Sequence, residues 1–309
     1  MTDPTNVESG QDEQKRSGFV ALIGAPNAGK STLLNHMVGT KVSIVTHKVQ
    51  TTRARVLGVT IANDTQIAFI DTPGIFAPKR RLDRAMVKAA WSGVSDADEV
   101  VLMVDATVAL NDENMAIIKS LNEHNRKVIL ALNKVDLVKR ERLLALAEKL
   151  NDQGCFKEVF MISALKGNGT DDLLRLLANT MPEGPWLFPE EQLTDMPQML
   201  LAAEITREKL MINVHQELPY ALTVETETWE NFKDGSIKIE QTIYVRRDSQ
   251  KAIILGKGGQ RVKAIGAAAR HELEDIFSTR VHLMLFVKVK ERWEEDPNRY
   301  SIWNLDFNS

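Results

Sequence analysis

Short apolar runs alternate with amphipathic stretches from Phe19 to about residue 180. The runs are FVALIG, RVLGVTIA, TQIAFID, VVLMVDA, KVILALN and EVFMIS, and turn signals or helical patterns such as RLDRAMVKAAWSGV and RERLLALAEKL separate them. Strands that alternate with helices predict a mostly parallel sheet covered by helices on both faces. Two of the runs meet at Asn63-Asp64, which predicts a hairpin and one antiparallel edge strand.

The pattern changes after residues 180–197, which hold four of the ten prolines and therefore predict a linker. Beyond it come a helical stretch, two alternating strands that turn at Asp234-Gly235, two helical stretches split by glycines, and a last strand. This order predicts a separate α+β unit. The predicted segments are a disordered lead (1–16), an α/β domain (17–180), a linker (181–198), an α+β domain (199–292) and a tail (293–309).

Composition limits the class of protein. With 309 residues, 43% hydrophobic and 26% charged, the chain is long enough for about two globular domains. The polar N-terminus and the absence of a long apolar run lead us to expect a cytoplasmic protein, and a single cysteine, Cys155, excludes an internal disulfide. The net charge of -3 gives no general attraction to nucleic acid, so such binding would need a local basic face.

A phosphate-binding motif follows the first apolar run. Residues 24–31 read GAPNAGKS, which matches G-x-x-x-x-G-K-[ST] between a strand and a helix. Its glycines allow a tight turn whose amides face phosphate oxygens, Lys30 would reach the β- and γ-phosphates, and Ser31 would bind Mg²⁺. The nucleotide-binding candidates here are Gly24, Asn27, Ala28, Gly29, Lys30, Ser31 and Thr32.

A second motif, Asn133-Lys134-Val135-Asp136, follows the strand KVILAL and predicts that the base is guanine. A carboxylate at Asp136 can accept bonds from the ring N–H and the exocyclic amine of guanine, whereas adenine offers no such pair of donors. Asn133 would contact the imidazole side of the base, and the Lys134 stem would pack on its face. Ser163-Ala164-Leu165 would complete the base site if its backbone amides face the base oxygen.

The motif Asp71-Thr72-Pro73-Gly74 would place Asp71 near the metal, through water, and the Gly74 amide near the γ-phosphate. In this order and context the motifs resemble those of a Ras-like GTPase domain over about residues 17–180. The metal candidates are Ser31, Asp71 and Thr52, with Thr51 as the alternative to Thr52.

The residue after this motif is Ile75, where Ras-type domains have a glutamine that orients the attacking water. A hydrophobic residue here, together with Asn27 and the run Thr51-Thr52-Arg53, resembles a branch of bacterial GTPases that includes the Era family. The resemblance implies that Asn27 helps to hold a K⁺ ion and that Lys30, Asn27 and Gly74 are the catalytic candidates. Two hypotheses remain open: slow hydrolysis of GTP, or GTP bound as a structural ligand without turnover.

A second glycine cluster, Gly256-Lys257-Gly258-Gly259, lies between the two helical stretches of the C-terminal unit. This G-x-x-G turn, with a strand before and after it, resembles a KH domain of the bacterial (type II) topology, whose loop clamps a nucleic-acid backbone. Residues 244–270 contain seven Lys and Arg against one acid, Asp248. The RNA-binding candidates are Ile253, Ile254, Leu255, Gly256, Lys257, Gly258, Gly259, Arg261 and Lys263.

A Ras-like GTPase domain joined to such a unit resembles the Era family over nearly the whole chain. The resemblance implies binding of GTP and GDP with Mg²⁺, a monomer, and a role in assembly of the small ribosomal subunit, with RNA bound near the 3′ end of its ribosomal RNA. A membrane-surface GTPase remains an alternative, in which the basic residues 79–88 would associate with the inner membrane. The tail carries no motif, and we expect Trp303 and Phe307 to pack on the sheet of the second domain.

Overall fold

The computed structural model describes residues 15–215 and 218–309. The elements that we call the first domain are β1 (Arg16–Ile23), α1 (Lys30–Val38), β2 (Val56–Ala62), β3 (Thr65–Asp71), α2 (Arg81–Asp96), β4 (Glu99–Asp105), α3 (Asp112–Glu123), β5 (Val128–Asn133), α4 (Arg140–Asn151), β6 (Phe156–Met161) and α5 (Thr170–Thr180). The second domain comprises α6 (Gln198–Asn213), β7 (Leu222–Asn231), β8 (Ile237–Val245), α7 (Asp248–Leu255), α8 (Gln260–Phe277) and β9 (Val281–Val289), and α9 (Pro297–Ile302) lies in the tail.

In the described part of the chain, the first domain is a six-stranded sheet in the order β2-β3-β1-β4-β5-β6. Every neighbouring pair is parallel except β2 with β3. One apolar core packs α2, α3 and α4 on one face of the sheet, and a second packs α1 and α5 on the other. Strands buried on both faces explain the nearly continuous apolar runs in the sequence. The predicted α/β fold is confirmed.

The turn between β2 and β3 is the predicted hairpin. Asn63 and Asp64 both have positive φ, 47° and 58°, which is the backbone of a two-residue turn that matches the twist of the strands. Asn and Asp adopt this conformation more readily than other residues with a side chain. The hairpin places β2 at the edge of the sheet as its antiparallel strand.

The last part of the predicted proline-rich linker lies along this edge, where Thr194 forms a bridge with Gly58. Thr194 Oγ1 donates to the Leu57 carbonyl at 2.6 Å, and the Val59 amide donates to the Leu193 carbonyl at 2.9 Å. The segment therefore covers backbone groups that an exposed edge strand would leave unpaired. At the N-terminal end of the domain, β1 begins at Arg16, which is the last residue of the predicted lead. Residues 1–14 of that lead lie outside the described residues.

The second domain has the predicted order of helix, hairpin, two helices and strand. Its described sheet runs β7-β8-β9, with β7 antiparallel and β9 parallel to β8. Residues from α6, α7 and α8 pack with inward side chains of all three strands in one apolar cluster. This parallel pairing of β8 and β9 across two helices agrees with the KH topology expected from the sequence.

The tail does not pack as the sequence suggested. Trp303 and Phe307 lie in a cluster with Leu82 and Met86 of α2, so the tail packs on the first domain rather than simply on the sheet of the second. Trp303 is 5% exposed, and its ring meets that of Trp293 edge-on at 6.3 Å. The tail therefore joins the two domains.

Replacing Trp303 with alanine should lower the free energy of unfolding by about 3–5 kcal/mol, because it removes a large buried ring and leaves a cavity. Ile302→Ala is the matched control, since Ile302 directly precedes Trp303 but is 55% exposed, and a surface change of this kind costs within about 0.5 kcal/mol. Urea titration of both full-length variants measures the difference. Equal costs would contradict the packing of the tail described above.

Candidate functional site

The glycine-rich loop after β1 forms one wall of a cavity of about 700 Å³. Gly29 has φ 98°, and a Cβ at this position would lie 2.2 Å from the Asn133 amide nitrogen, so glycine is required here. Lys30 is buried, and its ammonium donates to the Gly24 and Ala25 carbonyls, each at 3.1 Å. Burial lowers the pKa of Lys30 to about 8, while nearby Asp71 opposes the shift. Phosphates entering the cavity would meet a desolvated cation.

The predicted metal residues come together at the wall of the cavity, where Ser31 and Thr52 line it and Asp71 lies buried behind them. Ser31 Oγ lies 2.6 Å from Asp71 Oδ2 and 2.9 Å from Thr52 Oγ1. Asp71 is fully buried, and its second oxygen, Oδ1, has no hydrogen-bond partner within residues 15–215 and 218–309. Burial raises the pKa of the Asp71 carboxyl in spite of the opposing effect of Lys30. A buried, incompletely satisfied carboxylate beside two hydroxyls fits Mg²⁺, which prefers oxygen ligands.

The two candidate threonines of the loop before β2 differ in their hydrogen-bond partners. Thr52 Oγ1 points at Ser31 and Asp71, whereas Thr51 Oγ1 bonds Thr46 Oγ1 and the Lys48 carbonyl, each at 2.7 Å. The geometry therefore favours Thr52 as the metal-binding residue.

The base-recognition motif lies at the carboxyl end of β5, at the rim of the same cavity. Asp136 is exposed; the Ser163 hydroxyl, more than any other group, holds the pKa of its carboxyl below the usual range, and Lys166 adds to this effect. Lys134 has φ 62°, and its ammonium bonds Asp105 Oδ2 at 2.6 Å. For a base bound at this rim, the arrangement would provide an ionised acceptor at its edge and an aliphatic stem at its face.

The loop at residues 163–165 differs from the expectation. The Ser163 and Ala164 amides donate to the Asn168 carbonyl and to Asn133 Oδ1, each at 2.9 Å, so both are engaged within the protein rather than directed at a base oxygen. Asn133 also donates from Nδ2 to the Ala28 carbonyl at 2.8 Å, which leaves its second N–H for the base. Asn133 therefore connects the phosphate loop to the loop at residues 163–165, and Leu165 is 80% exposed at the rim.

Gly74 and Thr32 also line the cavity, but the side chain of Ile75 does not. Ile75 is 7% exposed and packs in the apolar core with Ala25 and Ala90, and its amide donates to the Gly24 carbonyl at 3.0 Å. Through this hydrogen bond and the contact with Ala25, Ile75 holds the Gly74 turn against the phosphate loop.

The glycine cluster of the second domain connects α7 to α8. Gly256, Gly258 and Gly259 have φ of 69°, 58° and 78°, and a Cβ at Gly259 would meet no heavy atom within 4 Å. Open space at a positive-φ position suits a loop that a phosphate backbone approaches closely. Ile253 is 47% exposed beside this loop, but Ile254 is fully buried in the domain core and does not line a groove as predicted.

Not every residue of the predicted basic face is available. Arg246 pairs with Glu294, and Arg270 pairs with Glu274 at 3.1 Å. The remaining basic residues are exposed or half-buried and lie on or beside α7, α8 and the glycine loop between them. They are Arg247, Lys251, Lys257, Arg261 and Lys263.

Comparison with known proteins shows that both domains occur together in one family. Residues 19–134 match the family model described as 50S ribosome-binding GTPase, and residues 217–294 match the KH domain model. The chain is 57% identical to GTPase Era of Brucella suis biovar 1 (strain 1330) over 309 residues, or 99% of each chain. The chain belongs to the Era family. GTPase Era of Rhizobium meliloti (strain 1021) is also 57% identical, over 99% of this chain and 98% of that protein.

Two solved structures of Era proteins resemble the fold. Era in complex with MgGDPNP and nucleotides 1506–1542 of 16S ribosomal RNA has a TM-score of 0.89 at 40% identity, covering 94% of this chain and 98% of that one. A single-residue variant of Aquifex aeolicus Era bound to GDP.AlF4⁻ has a TM-score of 0.88 at 40% identity, covering 93% and 98%. Era membership confirms the predicted arrangement of a Ras-like GTPase domain followed by a KH domain. The chain is therefore a GTPase.

Sequence reasoning missed two residues that bond candidate site residues. Ser43 donates to Asp71 Oδ2 at 2.9 Å, and Asp105, the last residue of β4, holds Lys134 while accepting from the Thr107 amide at 2.9 Å and its hydroxyl at 2.7 Å. Burial opposes ionisation of Asp105, but the bonds from Lys134 and Thr107 hold its pKa below the usual value. The signal for Asp105 was available, because an acid that ends a buried strand lies at the ligand-binding edge of the sheet.

Replacing Asp136 with asparagine should weaken GDP and GTP binding by roughly ten- to hundredfold, the loss expected for a charge-assisted hydrogen bond. The amide can donate to a carbonyl, so preference should move toward xanthine nucleotides. Titration calorimetry with guanine and xanthine nucleotides measures both effects. Asp152→Asn, at an exposed position after α4, is the control, and unchanged guanine selectivity in the Asp136 variant would contradict the assignment.

Proposed function

We propose that the chain binds and slowly hydrolyses GTP at the cavity beside β1 and β5, and binds single-stranded RNA near the 3′ end of the small-subunit ribosomal RNA through the Gly256–Gly259 loop. The proposal of GTP hydrolysis rests on the buried Asp71 carboxylate, whose Oδ1 has no hydrogen-bond partner among the described residues and could bind a metal. The RNA half is supported by the open, positive-φ glycine loop, and by the Era protein whose structure contains nucleotides 1506–1542 of 16S ribosomal RNA.

The residues of the cavity act mainly by position and charge. Loop amides at residues 27–31 and the Lys30 ammonium bind the phosphates, the Gly74 turn lies near the γ-phosphate, and Asp136 fixes the guanine edge. Ser31, Thr52 and Asp71 would hold Mg²⁺, which when bound neutralises charge on the β- and γ-phosphates. Because the Ile75 side chain is buried, water is not oriented from that position.

Asn27 is the candidate for a second cation site. It has φ 62°, and its Nδ2 donates to the His47 carbonyl at 3.0 Å, so an asparagine of the phosphate loop and a carbonyl of the loop before β2 meet at the cavity. Oxygen atoms on both sides of the phosphate position are the ligands that a K⁺ ion would need. A fixed charge there stabilises the transition state without contacting the water.

GTP hydrolysis should be at least about tenfold faster in K⁺ than in Na⁺ at equal ionic strength, since one preorganised electrostatic contact is worth about 10²–10³ in rate. Asn27→Ala should remove the difference while GDP affinity stays close to that of the parent chain. Multiple-turnover phosphate release measures the rates. Asn125→Ala is the control, because Asn125 also has positive φ but lies on an exposed turn after α3; equal rates of the parent chain in the two salts would contradict the K⁺ site.

The glycine loop of the second domain carries the RNA proposal. Gly259→Asp should weaken single-stranded RNA binding by roughly tenfold or more through repulsion between its carboxylate and the RNA phosphates, while GTP affinity stays near normal. Gly235→Asp is the matched control: Gly235 also has positive φ and open space around it, but lies in the β7–β8 turn. Binding of a 3′-end oligonucleotide by fluorescence anisotropy measures the difference.

The dependence of RNA affinity on salt concentration is the second measurement in this experiment. The affinity of the parent chain should fall by about 0.7 log units per log unit of salt for each phosphate neutralised. A flat response, or equal effects of the two glycine variants, would contradict RNA binding at this loop.

The alternative of a membrane-surface GTPase has weaker support. Three cations of α2 contact the tail instead of forming an open patch: Lys88 pairs with Asp306 at 2.6 Å, Arg84 Nε donates to the Ser309 carbonyl at 3.3 Å, and Arg81 lies 4.6 Å from the Phe307 ring. No helix in the described part of the chain is both long and apolar enough to span a bilayer. We retain a monomer acting in the cytoplasm as the proposed form.

A further inference from the structure

The metal-binding candidate Thr52 lies in a loop, residues 39–55, that we call the switch loop. The residues on both sides of Thr52 are held by the second domain or the tail. Arg207 of α6 donates from Nη2 to the Thr51 carbonyl at 2.5 Å, and Arg53 donates from Nη1 to the Leu222 carbonyl at 3.0 Å. The Arg53 guanidinium also lies 5.4 Å and 5.7 Å from the rings of Trp293 and Trp303.

Arg207 is completely buried, which is unusual for an arginine. Its guanidinium pairs with Glu204 one turn earlier on α6, with Nε 2.8 Å from Oε1 and Nη2 against Oε2. Nη1 contacts Met211 Sδ at 3.2 Å. Glu204 compensates the buried charge, and the donor directed out of α6 bonds the backbone of the switch loop.

A buried ion pair stabilises a fold no better than apolar side chains of similar volume, so its presence calls for a positional reason. The Thr51 carbonyl belongs to the peptide unit directly before Thr52. A hydrogen bond from a rigid guanidinium fixes that peptide plane, and the plane sets the direction in which the Thr52 hydroxyl leaves the backbone. Thr52 Oγ1 in turn lies 2.9 Å from Ser31 Oγ.

We propose that Arg207, a residue of the RNA-binding domain, positions Thr52 for Mg²⁺ in the GTP-bound state. The inference rests on the proposed function, because it takes Thr52 as a metal ligand. Switch-loop contacts to the metal form with the γ-phosphate and are released without it. Loss of Arg207 should therefore affect GTP much more than GDP.

The first test is Arg207→Met in the full-length chain, with affinities for GDP and GDPNP measured by calorimetry across a range of Mg²⁺ concentrations. GDPNP affinity should fall about tenfold, and more Mg²⁺ should be needed to reach saturation, whereas GDP affinity should stay within about twofold. Arg175→Met is the matched control: Arg175 also forms an i,i+3 pair, with Asp172 at 2.9 Å, but is exposed on α5. Equal losses for GDP and GDPNP in the Arg207 variant would overturn the proposal.

A second variant separates positioning from folding, because Arg207→Met leaves the Glu204 carboxylate buried without its partner. Glu204→Gln combined with Arg207→Met removes that charge and should restore thermal stability without restoring GDPNP affinity. Recovery of both would mean that Arg207 acts only on the fold, and would overturn the proposal. Arg207→Lys, which keeps a cation and a donor, should recover part of the GDPNP affinity.

Thr52→Ala distinguishes failure of this inference from failure of the proposed metal site. If Thr52→Ala lowers GDPNP affinity and its Mg²⁺ dependence while Arg207→Met does not, the metal site stands and the role of Arg207 is wrong. If Thr52→Ala changes neither quantity, Thr52 is not a metal ligand, and both the site and the inference fail.

Discussion

The switch loop has no helix or strand of its own, and contacts with the second domain as well as with the first hold its conformation. Loops longer than about 12–15 residues without regular structure are uncommon unless they are functional or disordered. Here Ile44 is buried among apolar residues of α6, α8 and β9, the Val45 amide donates to Glu208 at 2.7 Å, and Lys41 pairs with the same carboxylate at 2.7 Å. The wall of the nucleotide cavity therefore cannot move far without disturbing the domain that carries the RNA-binding loop.

The second segment near the γ-phosphate position is constrained in a similar way. The turn at Gly74 leads into α2, and α2 packs under the tail through Leu82 and Met86. The tail also contacts the second domain, since the Trp293 indole donates to the Ala221 carbonyl at 3.1 Å. Arg53 lies near the rings of Trp293 and Trp303. Burial lowers the pKa of its guanidinium to about 9, and neighbouring Arg207 contributes in the same direction. Through these contacts the switch loop and the Gly74 turn are both linked to the second domain, and packed contacts of this kind can transmit a conformational change between domains.

The sequence predicted the features that depend on local chemistry. The strand runs follow from apolar patterning, whereas the Asn63-Asp64 turn and the phosphate motif depend on positive-φ conformations that few residue types adopt. It did not predict features that arise where distant segments meet. On the eight-residue helix α7 the periodicity is too short to show that Ile253 is exposed while Ile254 is buried, and the tail has no pattern that names α2 as its partner. From the sequence, Arg207 is one of several charged positions on a predicted helix, and only its contact with Thr51 in the structure indicates a role.

Ile75 shows how packing constrains the chemistry. Its side chain contributes to the core beneath the sheet, and its amide bonds Gly24, so the turn bearing Gly74 is fastened to the loop that binds the phosphates. A glutamine directed at the cavity would exchange that apolar anchor for a polar group. The transition state of phosphoryl transfer is loose, with charge spread over the equatorial oxygens, so fixed cations and amides can stabilise it without a side chain on the water. A Gly74 turn held by Ile75 and a buried Lys30 are consistent with a site that relies on the placement of charge, so an isoleucine at this position is compatible with a GTPase.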